Sequence, residues 1–124
     1  MNRIKPSNRR TGITIKIEVA DLTVHATANF GLDGKPIELF LPGPKPGSPI
    51  ATLLEDAAVV ISVALQHGIP ATALAKSMAR VPASPIQPSG LADPKIEVPT
   101  APATVIGAAL TWLARLTDNP EAMV

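Results

Sequence analysis

The chain has 124 residues, 46% of them apolar, and a net charge of +1; that is one domain's length, and folding should bury roughly two thirds of the extended chain's surface. It has no cysteine, and Phe30, Phe40 and Trp112 are its only aromatic residues, which excludes thiol nucleophiles, disulfides, iron–sulfur and cysteine–zinc sites and argues against a base-stacking platform. Four cations, Arg3, Lys5, Arg9 and Arg10, fall in the first ten residues, so the remaining 114 carry a net −3.

Residues 1–11 read as a basic N-terminal arm, with Arg9 and Arg10 as contacts for a phosphate or an acidic partner, or else as a solvated terminus. The opening residues lack the apolar segment of a secretory signal, and the longest apolar run, Ala57–Leu65, is short for a bilayer span. The expectation is a cytoplasmic protein without a membrane partner. Residues 12–124 read as a single α+β domain.

Ile13, Ile15, Ile17 and Val19 alternate with Thr14, Lys16 and Glu18, the period-two pattern of a strand with one buried face. Ala20-Asp21 turns the chain, and Leu22, Val24, Ala26, Ala28 and Phe30 alternate with polar residues in a second, antiparallel strand. Asp33-Gly34 marks another turn, and Ile37, Leu39 and Leu41 form a third strand. The result is a three-stranded antiparallel meander with one apolar face that needs a cover.

Helices supply it. Ser48 is suited to an N-cap and Pro49 to the first helical position, and Gly68 suits the left-handed residue that ends a helix over Ser48–His67. A second helix is expected over Ala71–Arg80. Six prolines fall between Pro82 and Pro102, so residues 82–102 read as a proline-rich strap or extended linker. A last helix spans Ala103–Leu116, where Gly107, Ala108 and Ala109 permit close approach to another helix or to the sheet.

Little in the sequence can do covalent chemistry. The loop Pro42–Ser48 precedes a helix N-terminus and resembles a phosphate loop, which makes Lys45, Gly47 and Ser48 candidate anion contacts. It lacks the Gly-Lys-Ser/Thr ending, and four prolines remove amide donors from the cradle; a rigid strand-to-helix connector is the other reading. Glu55 and Asp56 are adjacent, so on a helix they point about 100° apart and cannot act as a facing acid–base pair. His25 falls on the polar face of its strand and His67 at a helix end, with no metal-ligand spacing. Ser62 and Thr72 have no base nearby in sequence. The apolar stripe of the long helix reads as the cover for the sheet, with a dimer surface as the alternative. No catalytic residue, metal ligand or cofactor site is assigned.

The segment from Asp56 to Pro70, DAAVVISVALQHGIP, resembles the C-terminal domain, called TSCPD, of adenosylcobalamin-dependent (class II) ribonucleotide reductases. Three further pieces agree with it in order: Asn8-Arg9-Arg10, the strand from Gly34 to Phe40 followed by Gly43-x-Lys45-x-Gly47-Ser48, and Ile106-Gly-Ala-Ala-Leu110. The resemblance covers most of the chain except the strap. The reductase's radical and redox cysteines, its catalytic barrel and the cysteine motif that names the domain are all missing here. The resemblance therefore implies a stand-alone relative of an appendage of that enzyme, without its activity or its cofactor. It points to a non-catalytic accessory or regulatory domain that binds a protein, either a ribonucleotide reductase subunit or a second copy of itself. A nucleotide or nucleic-acid binding module using the basic arm and the Gly43–Ser48 loop is the alternative, with dNTPs or nucleic acid as the less favoured partners.

Overall fold

A computed structural model describes residues 12–83 and 99–118. Strands β1 (Ile13–Val19), β2 (Leu22–Phe30) and β3 (Pro36–Phe40) form an antiparallel sheet in the order β1-β2-β3, the expected meander. There follow α1 (Pro49–Gln66), α2 (Ala71–Lys76), β4 (Arg80–Pro82), β5 (Thr100–Pro102) and α3 (Val105–Asp118), giving an α+β domain.

The first hairpin is tight. Val19 faces Leu22, Ile17 faces Val24 and Ile15 faces Ala26, so the apolar residues of both strands share one side of the sheet. Ala20 and Asp21 have φ of 52° and 62°, the two left-handed residues of a type I′ turn, whose twist matches that of the strands. The second hairpin turns at Gly34, with φ of 81°, and the Lys35 N–H donates to Asp33 Oδ1 at 3.0 Å.

The covering helices have the ends that the sequence predicts. The Ser48 hydroxyl accepts from the Ala51 N–H at 3.2 Å, and Pro49 opens α1. At the other end Gly68 is left-handed at 89°. Its N–H donates to Leu65 O, and the Ile69 N–H donates to Ala64 O, both at 3.0 Å; this is a Schellman cap. Leu54, Ala58, Ile61 and Leu65 recur at helical spacing and are buried, and α1 packs chiefly on β3. α3 lies beneath β1 and β2, burying Val105, Ala109, Leu110, Leu113 and Leu116. The close approach at Gly107 is real: a Cβ there would stand 3.3 Å from Met78 Cβ and 3.4 Å from Pro102 Cβ.

One expected helix is shorter than its sequence pattern. α2 ends at Lys76, with Ser77 as its C-cap, and Arg80–Pro82 is strand β4 rather than a last helical turn. Pro82 disfavours helical backbone at Val81, which is itself β-branched. The Arg80 side chain secures the strand, with Nε donating to Thr100 Oγ1 at 2.6 Å and Nη2 to Thr100 O at 2.9 Å. β4 pairs antiparallel with β5, Val81 opposite Ala101. Bonds from Ala103 N–H to Ala79 O and from Ala83 N–H to Pro99 O, both 2.9 Å, extend the ribbon at its two ends. The strap thus begins and ends in a two-stranded ribbon that proline content did not predict, while residues 84–98 lie outside the described residues. α3 starts at Val105 rather than Ala103, because the Thr104 Oγ1 caps it by accepting from the Gly107 N–H at 3.1 Å.

By length and composition alone α1 could cross a membrane; the helix is longer than its most apolar run suggests. Its inner residues are instead in the domain core and bonded to β3, as a core helix requires.

Candidate interaction surface

α1 relates to the sheet in two ways at once. Its inner face contributes Leu54, Ala58, Ile61 and Leu65 to the core. Ser62 and Gln66, also buried, reach the outer edge of β3: Ser62 Oγ accepts from the Leu39 N–H at 2.9 Å, and Gln66 Nε2 donates to Ile37 O at 3.0 Å. An edge strand leaves backbone groups open to pairing, and here the covering helix closes them. Sequence reading missed both residues, because a lone Ser and Gln in an apolar helix carry no signal of which backbone they will meet.

About 100° round the helix from this inner face runs a second apolar strip, exposed among the described residues. Leu53, Ala57, Val60 and Ala64 recur at steps of four, three and four and line up along the helix, the spacing of a helix–helix seam. Leu53 is 68% exposed and Val60 69%, with the half-buried Ala57 between them and the half-buried Ala64 beyond Val60. Ile50 is exposed beside this seam, and Val59 is exposed farther round the helix. Scattered apolar surface residues are ordinary; a continuous strip along one helix is less so. The stripe read from sequence is therefore two stripes on a helix apolar nearly all round, only one of which covers the sheet.

One groove adjoins the strip and a second lies across the helix from it. At the start of α1 a groove of about 410 Å³ runs from Ile50 and Leu53 to Leu22 and Ile106. Across the helix from the strip, between α1 and β3, a groove of about 500 Å³ is lined by Phe40, Leu41 and Val59 with Glu38 and Glu55. Within α1 the only charged side chains are Glu55 and Asp56, both exposed; Asp56 lies nearer the apolar strip, and Glu55 faces the groove beside β3. Glu38 accepts from Asn29 Nδ2 at 2.7 Å.

The anion-binding candidates are arranged for local structure. The Ser48 hydroxyl is occupied as the N-cap acceptor, and the Ser48 N–H donates to Lys45 O at 3.1 Å. Gly47 is left-handed at φ 80°, and Gly43 lies against the first turn of α1, where a Cβ would come within 2.6 Å of both Ala51 Cα and Cβ. Lys45 is exposed at the tip. Arg9 and Arg10 lie outside the described residues, so the loop and the arm are not brought together. His25 and His67 are exposed, one on a strand and one at a helix end. Glu55 and Asp56 face outward. Ser62 bonds only backbone groups. Among the described residues no group of three or more His, Asp or Glu is placed to hold a metal.

No curated protein and no solved structure is significantly similar to this chain. The model of the TSCPD domain family does match, over residues 2–114, a span that takes in the sheet, α1, the ribbon and most of α3. The chain belongs to the TSCPD domain family.

Proposed function

We propose that this chain is a non-catalytic accessory or regulatory domain that works by binding another protein through the outer face of α1. The observation that carries the reading is the strip Leu53–Ala57–Val60–Ala64, apolar, exposed and continuous along a helix whose inner face already fills the core. Two alanines in the seam let a partner backbone approach closely, and Ile50 extends the contact into the groove beside Leu22. Family kinship and the lack of cysteine favour a protein partner over chemistry, with a ribonucleotide reductase subunit as the first candidate.

The decisive experiment captures host proteins on the tagged chain and on a Leu53→Glu/Val60→Glu variant, with bound proteins identified by mass spectrometry. Both substitutions are at exposed positions, so circular dichroism should be unchanged. A reductase subunit recovered by the native chain and lost with the variant supports the reading. Equal recovery by both chains, or none by the native chain, overturns it.

A further inference from the structure

The two edges of the sheet are treated differently, and the difference can be followed residue by residue. Residues of adjacent antiparallel strands alternate between pairs that exchange backbone hydrogen bonds and pairs whose N–H and C=O groups point away. Leu39 turns its N–H outward to Ser62, so the Leu39–Ala28 pair does not exchange bonds, and Ala28 directs its groups toward β1. Ala28 is opposite Ile13, so Ile13, Ile15, Ile17 and Val19 are the bonded residues of β1. The two-residue turn at Ala20-Asp21 requires the same parity, since a type I′ hairpin closes on a bonded pair, here Val19–Leu22. Both ends of the sheet give one answer: the backbone groups of Thr14, Lys16 and Glu18 point off the edge of β1. No bond from the backbone of a described residue meets them. The inner side chains Ile13 and Ile15 are only half-buried, unlike their buried partners Ala28 and Ala26 on β2, and Val19 is half-buried as well.

We propose that the β1 edge is a self-association surface, on which β1 of a second copy adds antiparallel about a two-fold axis and joins two sheets into one of six strands. The charge pattern selects the register. Lys16 and Glu18 lie on the outer face with Nζ and Oε1 2.9 Å apart. A lone edge lysine repels its own copy, because two-fold pairing that centres on Lys16 sets it against the same lysine. Pairing centred on Ile17 sets Lys16 of each copy against Glu18 of the other and makes an alternating square of four charges. In that register Lys16 and Glu18 are bonded pairs, so their outward N–H and C=O groups are satisfied, and Ile17 meets Ile17 on the inner face with Ile15 beside Val19. The far edges of the six-stranded sheet are the two β3 strands, already closed by Ser62 and Gln66. This surface is separate from the outer face of α1 and stands independently of the function proposed above.

Charge reversal provides the test. Light scattering after size exclusion, and sedimentation equilibrium over a concentration series, should find a dimer of the native chain that weakens with added salt. Lys16→Glu and Glu18→Lys each place like charges opposite one another twice per dimer and should raise the dissociation constant about tenfold or more. The double reversal Lys16→Glu/Glu18→Lys restores opposite charges in this register and should restore the dimer. All three chains keep the fold, since both side chains are exposed, and circular dichroism checks this. A strictly monomeric native chain, dimerisation indifferent to the single reversals, or a double reversal as weak as the singles would each overturn the proposal. Loss of the dimer in Leu53→Glu/Val60→Glu with none in the reversals would assign self-association to α1 instead.

Discussion

Ser62 on α1 and Leu39 on β3 are joined at the backbone of the strand: the serine Oγ accepts from the Leu39 N–H at 2.9 Å and lies 3.2 Å from the Leu39 carbonyl oxygen. Its single proton is shared between that carbonyl and Ala58 O at 2.8 Å, one turn back in the helix. A fourth strand would ordinarily occupy this place. A helix side chain stands there instead, and this fixes the register between helix and sheet.

Ser62→Ala should therefore cost more than one exposed hydrogen bond would. It leaves a buried N–H without an acceptor, a loss of about 1–3 kcal/mol, and lowers the thermal midpoint by several degrees. Urea unfolding of both chains measures it. An unchanged midpoint would mean that water replaces the hydroxyl at the β3 edge.

Much of the fold was legible in the sequence because local signals agreed with one another. Alternation along Ile13–Val19 and Leu22–Phe30, the Ser48-Pro49 start and the Gly68 stop each express a backbone requirement within a few residues. The ribbon of β4 and β5 was not legible, since its strands are three residues each and are held across a long separation by Arg80 and Thr100. The exposed strip on α1 was hidden for a different reason. On a helix as apolar as α1 periodicity marks an inner side but not a second face, and only placing Leu54 and Ile61 in the core reveals that Leu53 and Val60 are exposed.

The turn between β1 and β2 holds a reserve of stability. Ala20 and Asp21 both adopt left-handed backbone, which costs a residue with a Cβ about 1–2 kcal/mol, less for Asp than for Ala. Ala20→Asn/Asp21→Gly supplies the residues a type I′ turn prefers and should stabilise the domain by about 1 kcal/mol. A lower thermal midpoint in the variant would contradict this turn geometry.

The Lys16–Glu18 pair makes a prediction about pH. The hydrogen bond from Lys16, and then its charge, hold the Glu18 carboxyl below its ordinary value of 4.5. The same bond, and then the charge of Glu18, raise the Lys16 amine above 10.5. A lowered carboxyl contributes stability that is present above 4.5 and lost as pH falls through the folded value. A raised amine contributes stability that is present below 10.5 and lost as pH rises through its own folded value. The contribution is flat between these limits and small, because both groups are fully exposed. Glu18→Gln should therefore differ from the native chain at neutral pH and converge with it in acid. A gap in urea midpoint that persists about two units below the ordinary carboxylate value would show that the substitution acts through something other than this charge.

The loop before α1 offers the sharpest separation of structural from ligand roles. Gly43 packs where a Cβ would come within 2.6 Å of Ala51 Cα and Cβ, and that contact is with helix backbone, which cannot swing aside. Gly43→Ala must push the loop off the first turn of α1, at a cost of about 1–3 kcal/mol. Lys45, exposed at the tip, bears none of this packing, so Lys45→Ala should leave the unfolding midpoint within about 0.5 kcal/mol of the native value. The pair of variants distinguishes the two readings of the loop. A connector predicts that Gly43→Ala destabilises and that neither sulfate nor dNTPs shift the thermal midpoint of the native chain. An anion site predicts a ligand-dependent rise in that midpoint, by mass action, that Lys45→Ala abolishes. The Ser48 N–H, already given to Lys45 O, and the packed Gly43 favour the connector, and a saturable rise with dNTP would reverse that assignment.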